Sequence, residues 1–292
     1  MYKNNSFEIL ERTSTINRLS KNMYGNNLIN EEPFENGIKI IGEFIERARE
    51  QNAKLVSVFS TSVLRDAKNS GEFSRKVKEL YGIGVDIISG EKEASLAFKA
   101  CSRLVNNEDK KFAVLDIGGG SAEITVGTGR KIHEKLSIDI GAVRLTEMFI
   151  KNDPAIREEL DNMISYTSSK LEQSGINDFK GIRLIGTGGT VKTCGTMFKN
   201  IDYSNEDKVD GLTLSFNDVE EIYGLVHRRS IEERTNLPGL NPKRADVITA
   251  GIAILVLVMQ KICAPSLTVS SRGVLEGFIH RKASETLWEE VW

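Results

Sequence analysis

The chain has 292 residues, of which 40% are hydrophobic and 27% are charged, the proportions of a globular protein long enough for two domains. Its 39 basic and 41 acidic residues give a net charge of −2, which argues against a general nucleic-acid or membrane-surface binder. The three cysteines are widely separated, form neither a disulfide framework nor a zinc site, and fit a reducing cytoplasm.

The first part of the chain combines short apolar runs with a helical stripe. A strand is predicted over 7–10. From Glu31 onward, apolar residues recur at the i, i+3, i+4, i+7 spacing of a helix that buries one face. Strands follow at 55–59, which leads into a short helix, and at 86–89, where Ser89 can cap the next helix.

The second part alternates strands with helices, which indicates α/β layers. The predicted elements are a glycine-containing hairpin at 113–127, a strand at 135–140, a helical segment from 145, a helix at 155–173, a strand at 183–185, helices at 216–230 and 242–263, a strand at 267–270 and a last helix. The longest apolar run, 252–259, is shorter than the ~20 residues that cross a bilayer. A buried helix is therefore expected there, and no membrane partner.

The run 113–127 is the most informative stretch, because three glycines join its two strands. The N–H groups of Gly118, Gly119 and Gly120, with Ser121, can close around a phosphate, since glycine has no Cβ to hold a ligand away. A second strand follows where a dinucleotide fold or a P-loop needs a helix. The element is therefore similar to the phosphate-gripping hairpin of actin-like and sugar-kinase-like ATPases. A plain glycine-rich hairpin turn is the alternative.

Two acids flank this turn. Asp116 ends the first strand, where a carboxylate suits a magnesium ion that bridges to a bound phosphate. Glu123 lies inside the return strand, which is out of pattern unless it faces a cleft, where it could orient the water or the metal. The alternatives are a turn-capping role for Asp116 and, for Glu123, the solvated face of an edge hairpin.

A second glycine-rich turn leads from a strand into a helix. It consists of Gly186, Thr187, Gly188, Gly189 and Thr190. The N-terminus of a helix binds anions, so this turn could hold a nucleotide or further phosphates of a chain. Such turns are common, and this one alone is a weak signal.

Seven segments, in this order and over most of the chain, resemble the exopolyphosphatase/guanosine-pentaphosphatase (Ppx/GppA) family. They are 60–67, 88–94, 115–123, 140–147, 186–191, 244–251 and 271–277, and they include Asp-Ile-Gly-Gly-Gly-Ser-Ala-Glu at 116–123 and Gly-Thr-Gly-Gly-Thr-Val at 186–191. The resemblance implies an α/β fold of two actin-like (ribonuclease H-like) ATPase domains with a cleft between them. These domains would span 1–110 and 111–292, with the last helix expected to pack back on the first domain.

The resemblance also implies Mg²⁺-dependent hydrolysis of terminal phosphoanhydride bonds. The substrate would be inorganic polyphosphate or guanosine pentaphosphate, and the sequence does not choose between them. In the family match, Glu93 is the residue expected to activate the attacking water as general base. Its local sequence alone favours an acid that complements the dipole of a helix N-terminus.

Four cations fall inside the matching segments and are expected around the polyanion, since such side chains pair with phosphate oxygens. They are Arg65, Arg144, Lys192 and Arg272. The alternative for each is an ordinary surface cation paired with a carboxylate.

One departure from the family concerns the start of the chain. Members begin with a strand that ends in Asp-x-Gly-Ser-Asn/Thr, the first phosphate loop, and nothing similar precedes Phe7. The first domain is therefore expected to be incomplete, with an exposed sheet edge through which a homodimer could form. Three functions stay open, in this order: a magnesium-dependent phosphohydrolase, a catalytically impaired polyphosphate or alarmone sensor, and a small-molecule kinase of the same fold.

Overall fold

The computed structural model describes residues 2–3, 6–7, 11–53, 56–105 and 110–289. The strands are β1 (Tyr2–Lys3), β2 (Ser6–Phe7), β3 (Val58–Ser60), β4 (Val85–Ile87), β5 (Lys111–Ile117), β6 (Ala122–Thr128), β7 (Lys131–Ile138), β8 (Arg183–Thr187), β9 (Thr213–Ser215) and β10 (Ser266–Val269). The helices are α1 (Glu31–Glu50), α2 (Ser62–Asp66), α3 (Ser70–Tyr81), α4 (Gly90–Cys101), α5 (Ala142–Phe149), α6 (Arg157–Gln173), α7 (Gly188–Lys199), α8 (Phe216–His227), α9 (Ile231–Thr235), α10 (Ile248–Lys261) and α11 (Val274–Glu289).

A six-stranded sheet with the order β7-β6-β5-β8-β10-β9 organises the second part of the chain. β5, β6 and β7 form an antiparallel meander, while β8 and β10 run parallel to β5. β9 closes the far edge antiparallel to β10. The predicted α/β layering is confirmed, and the predicted glycine hairpin is the β5–β6 connection at the centre of the meander.

Both faces of this sheet are covered, which explains why β5 is almost continuously apolar. Phe112 packs on the side of α4, where its ring stacks on Phe98 with centroids 4.7 Å apart. Ala113 and Leu115 belong to the larger core on the opposite face, to which α7 and α10 contribute. Because side chains alternate along a strand, Asp116 projects on the α4 face, as Phe112 does.

The first part of the chain builds a smaller core from α1, α2 and α3 around the parallel pair β3 and β4. The predicted stripe of α1 is confirmed, with Ile38 and Ile45 buried. Phe34 of α1 meets Phe73 of α3 edge to face, with ring centroids 5.1 Å apart. The geometry of that ring pair is one that aromatic side chains prefer.

Several predicted strands overlap only in part with the observed ones. The strand predicted over 86–89 is β4 at 85–87, and the one predicted over 135–140 is β7 at 131–138. The strand predicted over 7–10 retains Phe7 in β2, and residues 8–10 lie outside the described part of the chain. β3 begins at Val58 rather than at Leu55, and Leu55 also lies outside the described part of the chain. The sequence does not predict β9, a strand of three residues at the edge of the large sheet.

The helix predicted over 242–263 is two elements. A 3₁₀ turn, Pro242–Arg244, comes first, and α10 begins only at Ile248. Between these two elements, the Ala245 carbonyl oxygen accepts a hydrogen bond from Arg234 Nη1 (3.0 Å), and the side chain of Asp246 pairs with Arg18. α10 itself is apolar on all sides and buried, as predicted, and in the described part of the chain no helix combines the length and apolarity that crossing a membrane requires.

The last helix lies against α4. Phe278 of α11 stacks on Phe59 with ring centroids 4.2 Å apart, and it shares a cluster with Ile88 and Leu96. A Cβ on Gly277 would lie 2.2 Å from the Leu96 carbonyl oxygen, so glycine permits this close approach. The division of the chain at residue 110 stays a prediction.

Candidate active site

Three buried carboxylates lie together at the end of β5. Asp116 and Glu123 are directly opposite each other across β5 and β6, so their side chains share the α4 face. Glu93 lies in the first turn of α4, the helix that covers this face, and Ser89 caps that helix by accepting a hydrogen bond from Lys92 N (3.2 Å). The structure thus brings together the three acids selected from the sequence; their individual roles stay predictions.

Arg65 of α2 connects two of these acids. Its Nη1 donates to Glu93 Oε2 and to the Ile88 carbonyl oxygen, both at 2.9 Å. Its Nη2 lies 3.8 Å from Glu123 Oε1 and donates to Ser121 Oγ at 3.4 Å. The sequence predicted a phosphate contact for Arg65, and the structure adds that its guanidinium orients Glu93 and offsets the charge of two carboxylates.

The two oxygens of Glu123 have different surroundings. Oε1 accepts hydrogen bonds from Ser121 Oγ (2.7 Å) and from Ser137 Oγ (2.9 Å). Oε2 is buried and has no hydrogen-bond partner among the residues that the structure describes. An unsatisfied buried carboxylate oxygen is costly, so its presence indicates a ligand at this position.

Burial raises the pKa of all three acids, and the charges of neighbouring acids raise the pKa of Asp116 and Glu123 further. Burial is the largest cause for Asp116, and the neighbouring Glu93 charge adds to it, so the pKa of Asp116 rises to about 7. The pKa of Glu123 is raised by burial and then by Glu93 and Asp116. Burial also raises the pKa of Glu93, although the hydrogen bond from Arg65 opposes the shift. A cation between these groups would stabilise their ionised forms.

This donor set fits a magnesium ion. Mg²⁺ in proteins is usually held by one or two carboxylates and keeps several waters. Asp116 and Glu123 provide two carboxylates from paired strand positions, and the bare Oε2 of Glu123 is an acceptor that a cation would satisfy. Since no group of three or more metal-ligating side chains is found among the described residues, water and phosphate would supply the remaining ligands.

The glycine turn between β5 and β6 is held by the start of α5. The N–H groups of Ala142 and Val143 donate to the carbonyl oxygens of Gly118 (3.0 Å) and Gly119 (2.9 Å). Within the turn, Gly118 N donates to Ser121 O at 3.0 Å. The carbonyls therefore point towards α5, and the N–H groups of Gly119 and Gly120 are the turn's candidates for contacting an anion.

Arg144 of α5 supports the same turn. Its Nε donates to the Gly120 carbonyl oxygen at 2.6 Å, and its guanidinium pairs with Asp66 at 2.5 Å. The guanidinium also lies over the ring of Tyr24, 4.3 Å from its centroid. Arg144 was predicted to bind phosphate, and in the structure it stands beside the predicted cradle with several of its donors engaged by protein.

The second glycine turn approaches the first. Gly188 has a φ of 88°, in the left-handed region that favours glycine, and a Cβ there would lie 2.7 Å from Asp116 Oδ1. Gly188, Gly189 and Thr190 line the same cavity as Asp116, whereas Gly186 and Thr187 belong to β8. The two predicted phosphate-binding turns therefore meet at one place.

The remaining two predicted cations have other surroundings. Lys192 of α7 pairs with Glu206. Arg272 has an exposed side chain, and its main-chain carbonyl is the atom that contacts the second turn, where it accepts from Thr187 Oγ1 at 2.8 Å. Their phosphate-binding roles stay predictions, and for Lys192 the carboxylate pairing weighed as the alternative is present.

A cavity of about 740 Å³ opens beside Asp116 and both glycine turns. Residues 16–22 form one wall, and 243–248 contribute another. Arg244 was not singled out in the sequence, although it begins one of the seven matching segments, which is the signal that could have identified it. Its partly buried side chain packs on the second turn so closely that a Cβ on Gly189 would lie 1.6 Å from Arg244 Nη1.

Known proteins resemble this chain in sequence and in structure. The sequence profile described as the Ppx/GppA phosphatase family matches residues 2–286. A bifunctional 3-dehydroquinate synthase/phosphatase of Fusobacterium nucleatum is 29% identical over 274 residues, which are 90% of this chain and 40% of that protein. A guanosine-5'-triphosphate,3'-diphosphate pyrophosphatase of Photobacterium profundum is 25% identical over 283 residues, 94% of this chain and 54% of that protein. The chain thus spans about half the length, or less, of these relatives.

Among solved structures, the Aquifex aeolicus PPX-GPPA enzyme superposes with a TM-score of 0.79 at 28% identity. The match covers 96% of this chain and 93% of that one. Together with the strand order of the large sheet, this similarity confirms the α/β, actin-like fold class predicted from the sequence.

Proposed function

This chain belongs to the Ppx/GppA phosphatase family, and on that premise we propose that it is a magnesium-dependent hydrolase of terminal phosphoanhydride bonds. The observation that carries the proposal is the buried group of Asp116, Glu123 and Glu93 beside a triple-glycine turn, with Arg65 paired to both glutamates. Buried like charges of this kind are rare in a purely structural role, whereas phosphoryl transfer requires them with a metal and an anionic substrate.

Glu93 is the general base in this proposal. Its carboxylate is buried at the start of α4, and burial raises its pKa, which brings the basicity of the carboxylate closer to that needed to accept a proton from water. Arg65 fixes Glu93 by a hydrogen bond of 2.9 Å to Oε2, and Thr61 also bonds to this carboxyl group. The carboxylate held in this way would take the proton from the attacking water.

The phosphoryl group would be positioned by the two glycine turns. N–H groups of Gly119 and Gly120 would contact its oxygens, and Asp116 and Glu123 would hold the metal. When bound, Mg²⁺ neutralises charge on the phosphate oxygens. Positioning and charge stabilisation account for most of the catalysis of phosphoryl transfer, so a rigid cradle of this kind is suited to the reaction.

The substrate is proposed to be inorganic polyphosphate, guanosine pentaphosphate or both, in the reducing cytoplasm. The cavity of about 740 Å³ beside Asp116 has room for further phosphates or a nucleoside beyond the reacting bond. Arg244, on the second glycine turn, is the cation placed to meet that part of the substrate.

The decisive experiment measures phosphate release from polyphosphate and from guanosine pentaphosphate, with Mg²⁺, for wild type and Glu93→Gln. We expect turnover to fall at least about 100-fold in the variant, because general-base catalysis contributes that order of rate. Glu91→Gln is the matched control, since Glu91 lies in the same helical turn, is exposed and pairs with Lys135 at 3.3 Å.

Near-normal turnover by Glu93→Gln would reject the base assignment. Saturable polyanion binding by the wild type without any phosphate release would favour the sensor instead. Phosphate transfer from ATP to a small acceptor would favour the kinase.

A further inference from the structure

Ser137 lies on β7, outside the segments that carry the family resemblance and outside the mechanism proposed above. β7 is an edge strand, and Ser137 is directly opposite Glu123 of β6, which is itself opposite Asp116 of β5. The three residues form a row across the meander with their side chains on one face. At the sheet edge the row ends with the hydroxyl of Ser137. The carboxylates of Glu123 and then Asp116 follow it towards the centre of the sheet.

The hydroxyl of Ser137 donates a hydrogen bond to Glu123. Its Oγ donates to Glu123 Oε1 at 2.9 Å, and Ser121 Oγ donates to the same oxygen at 2.7 Å. With Nη2 of Arg65 3.8 Å away, Oε1 is fully occupied, while Oε2 has no partner among the residues described. This asymmetry fixes the rotation of the carboxyl group and determines which oxygen stays available.

The first residue of α4 makes room for this contact. A Cβ on Gly90 would lie 2.3 Å from Ser137 Oγ and 2.6 Å from Ser137 Cβ. A residue with a Cβ at position 90 would therefore force Ser137 or the start of α4 to shift. Ser137 is also exposed, so its hydroxyl could bond to water, and packing of the core does not require it.

We propose that Ser137 is a positioning residue that, with Ser121, locks Glu123 Oε1 so that Oε2 is presented to a divalent cation. The inference rests on the metal-binding role of Glu123 in the proposed function. Residues that hydrogen-bond to metal ligands orient them, and their loss typically weakens metal affinity or activity by about 10- to 100-fold.

The test compares Ser137→Ala with wild type by titrating Mn²⁺ into the substrate-free protein and following the free ion by electron paramagnetic resonance. We expect the dissociation constant to rise about 10-fold, with a melting temperature close to that of wild type. Ser137→Thr keeps the hydroxyl and is expected to restore most of the affinity. Ser95→Ala is the matched control, because Ser95 Oγ donates back to the Glu91 carbonyl oxygen of its own helix, α4, at 2.7 Å.

Unchanged Mn²⁺ affinity in Ser137→Ala overturns the inference, as does a wild type without saturable binding or a threonine variant as weak as the alanine variant. Failure of the proposed function has a different signature. In that case, Ser137→Ala would still weaken Mn²⁺ binding, while the wild type would release no phosphate from either polyanion.

Discussion

At the scale of single residues, Asp210 illustrates how one carboxylate can connect distant parts of the chain. Arg103, just after α4, donates to it from both Nη atoms at 2.8 and 2.6 Å. Ser271 donates through its N–H (2.8 Å) and its Oγ (3.0 Å). Although partial burial acts in the opposite direction, these donors hold the pKa of Asp210 below its ordinary value.

The shift determines how Asp210→Asn should behave with pH. A folded-state pKa below the unfolded value means that the ionised carboxylate stabilises the fold above about pH 4, and that this contribution is lost as pH falls through the folded pKa. We expect the variant to be less stable than wild type by about 1–2 kcal/mol at pH 7, since hydrogen bonds to a charged group are lost. The gap should close towards pH 3 in urea unfolding experiments.

Asp161→Asn is a suitable control for Asp210→Asn, because Asp161 is exposed and its ion pair is with the exposed Arg157 one helical turn away. It should change the free energy of unfolding by a few tenths of a kcal/mol at most. A difference between wild type and Asp210→Asn that stays constant down to pH 3 would contradict the electrostatic explanation.

At the scale of elements, the glycine turn and α5 form one structural unit that is held by backbone hydrogen bonds. The first N–H groups of α5 donate to turn carbonyls, as Arg144 N also does to Gly119 O at 3.0 Å. These are the N–H groups that a helix cannot satisfy internally, so the turn serves as the cap of the helix. Gly141, which precedes α5, touches the turn so closely that a Cβ would lie 2.3 Å from Gly119 O and 2.5 Å from the Gly120 carbonyl carbon.

Gly141→Ala should therefore disturb the turn. The clash is with backbone atoms, which cannot rotate away as a side chain can, so we expect a loss of about 1–3 kcal/mol of stability. Weaker phosphate binding should accompany it, measured as a higher inhibition constant of inorganic phosphate. Gly224→Ala in α8 is the matched control, because a Cβ there has open space and alanine favours the helix. If the two variants have equal stability and equal inhibition constants for phosphate, a Cβ at position 141 does not disturb the turn.

The elements also show what the sequence could reveal. The β5–β6 hairpin, the cap at Ser89 and the apolar α10 are encoded locally, by glycine spacing, side-chain chemistry and periodicity, and all were predicted. The contact of Arg65 with Glu93 spans 28 residues, and the one between Ser137 and Glu123 depends on strand register. Such partners follow from the path of the chain rather than from any local pattern.

The same reasoning explains why the surroundings of the cations could not be predicted from the sequence. Arg144 and Lys192 carry the charge that a phosphate site needs, and the sequence could not reveal that Asp66 and Glu206 would be their neighbours. Arg244 was overlooked for the opposite reason. A single arginine in a helical stretch is unremarkable until the fold places its guanidinium on the backbone of Gly189.

At the scale of the whole molecule, the irregular segment 11–22 joins the early part of the chain to the late part. Arg18 pairs with Asp246 through both guanidinium nitrogens, at 2.6 and 2.9 Å. The N–H of Asn22 donates to Glu147 Oε1 at 2.7 Å. Because the same segment lines the cavity beside Asp116, these polar contacts help to shape the candidate site.

Arg12 makes the most deeply buried of these connections. Its Nη2 pairs with Glu276, in the first turn of α11, whose side chain is only 4% exposed, and its Nη1 pairs with Asp207 at 3.1 Å. The second oxygen of Glu276 accepts from Gly273 N at 2.8 Å. Removal of Arg12 would leave a buried carboxylate without its cation, which is far more destabilising than the loss of an exposed pair.

We therefore expect Arg12→Ala to lower the free energy of unfolding by about 3 kcal/mol in urea titrations, against about 0.5 kcal/mol or less for Arg157→Ala, whose pair with Asp161 is exposed. Adding Glu276→Gln to Arg12→Ala should recover part of the loss, because a neutral amide tolerates the buried position better than an unpaired charge. If Arg12→Ala costs no more than Arg157→Ala, the buried pair of Arg12 with Glu276 does not contribute to the stability of the chain. If Glu276→Gln deepens the loss instead, the hydrogen bonds of Glu276 matter more than its charge.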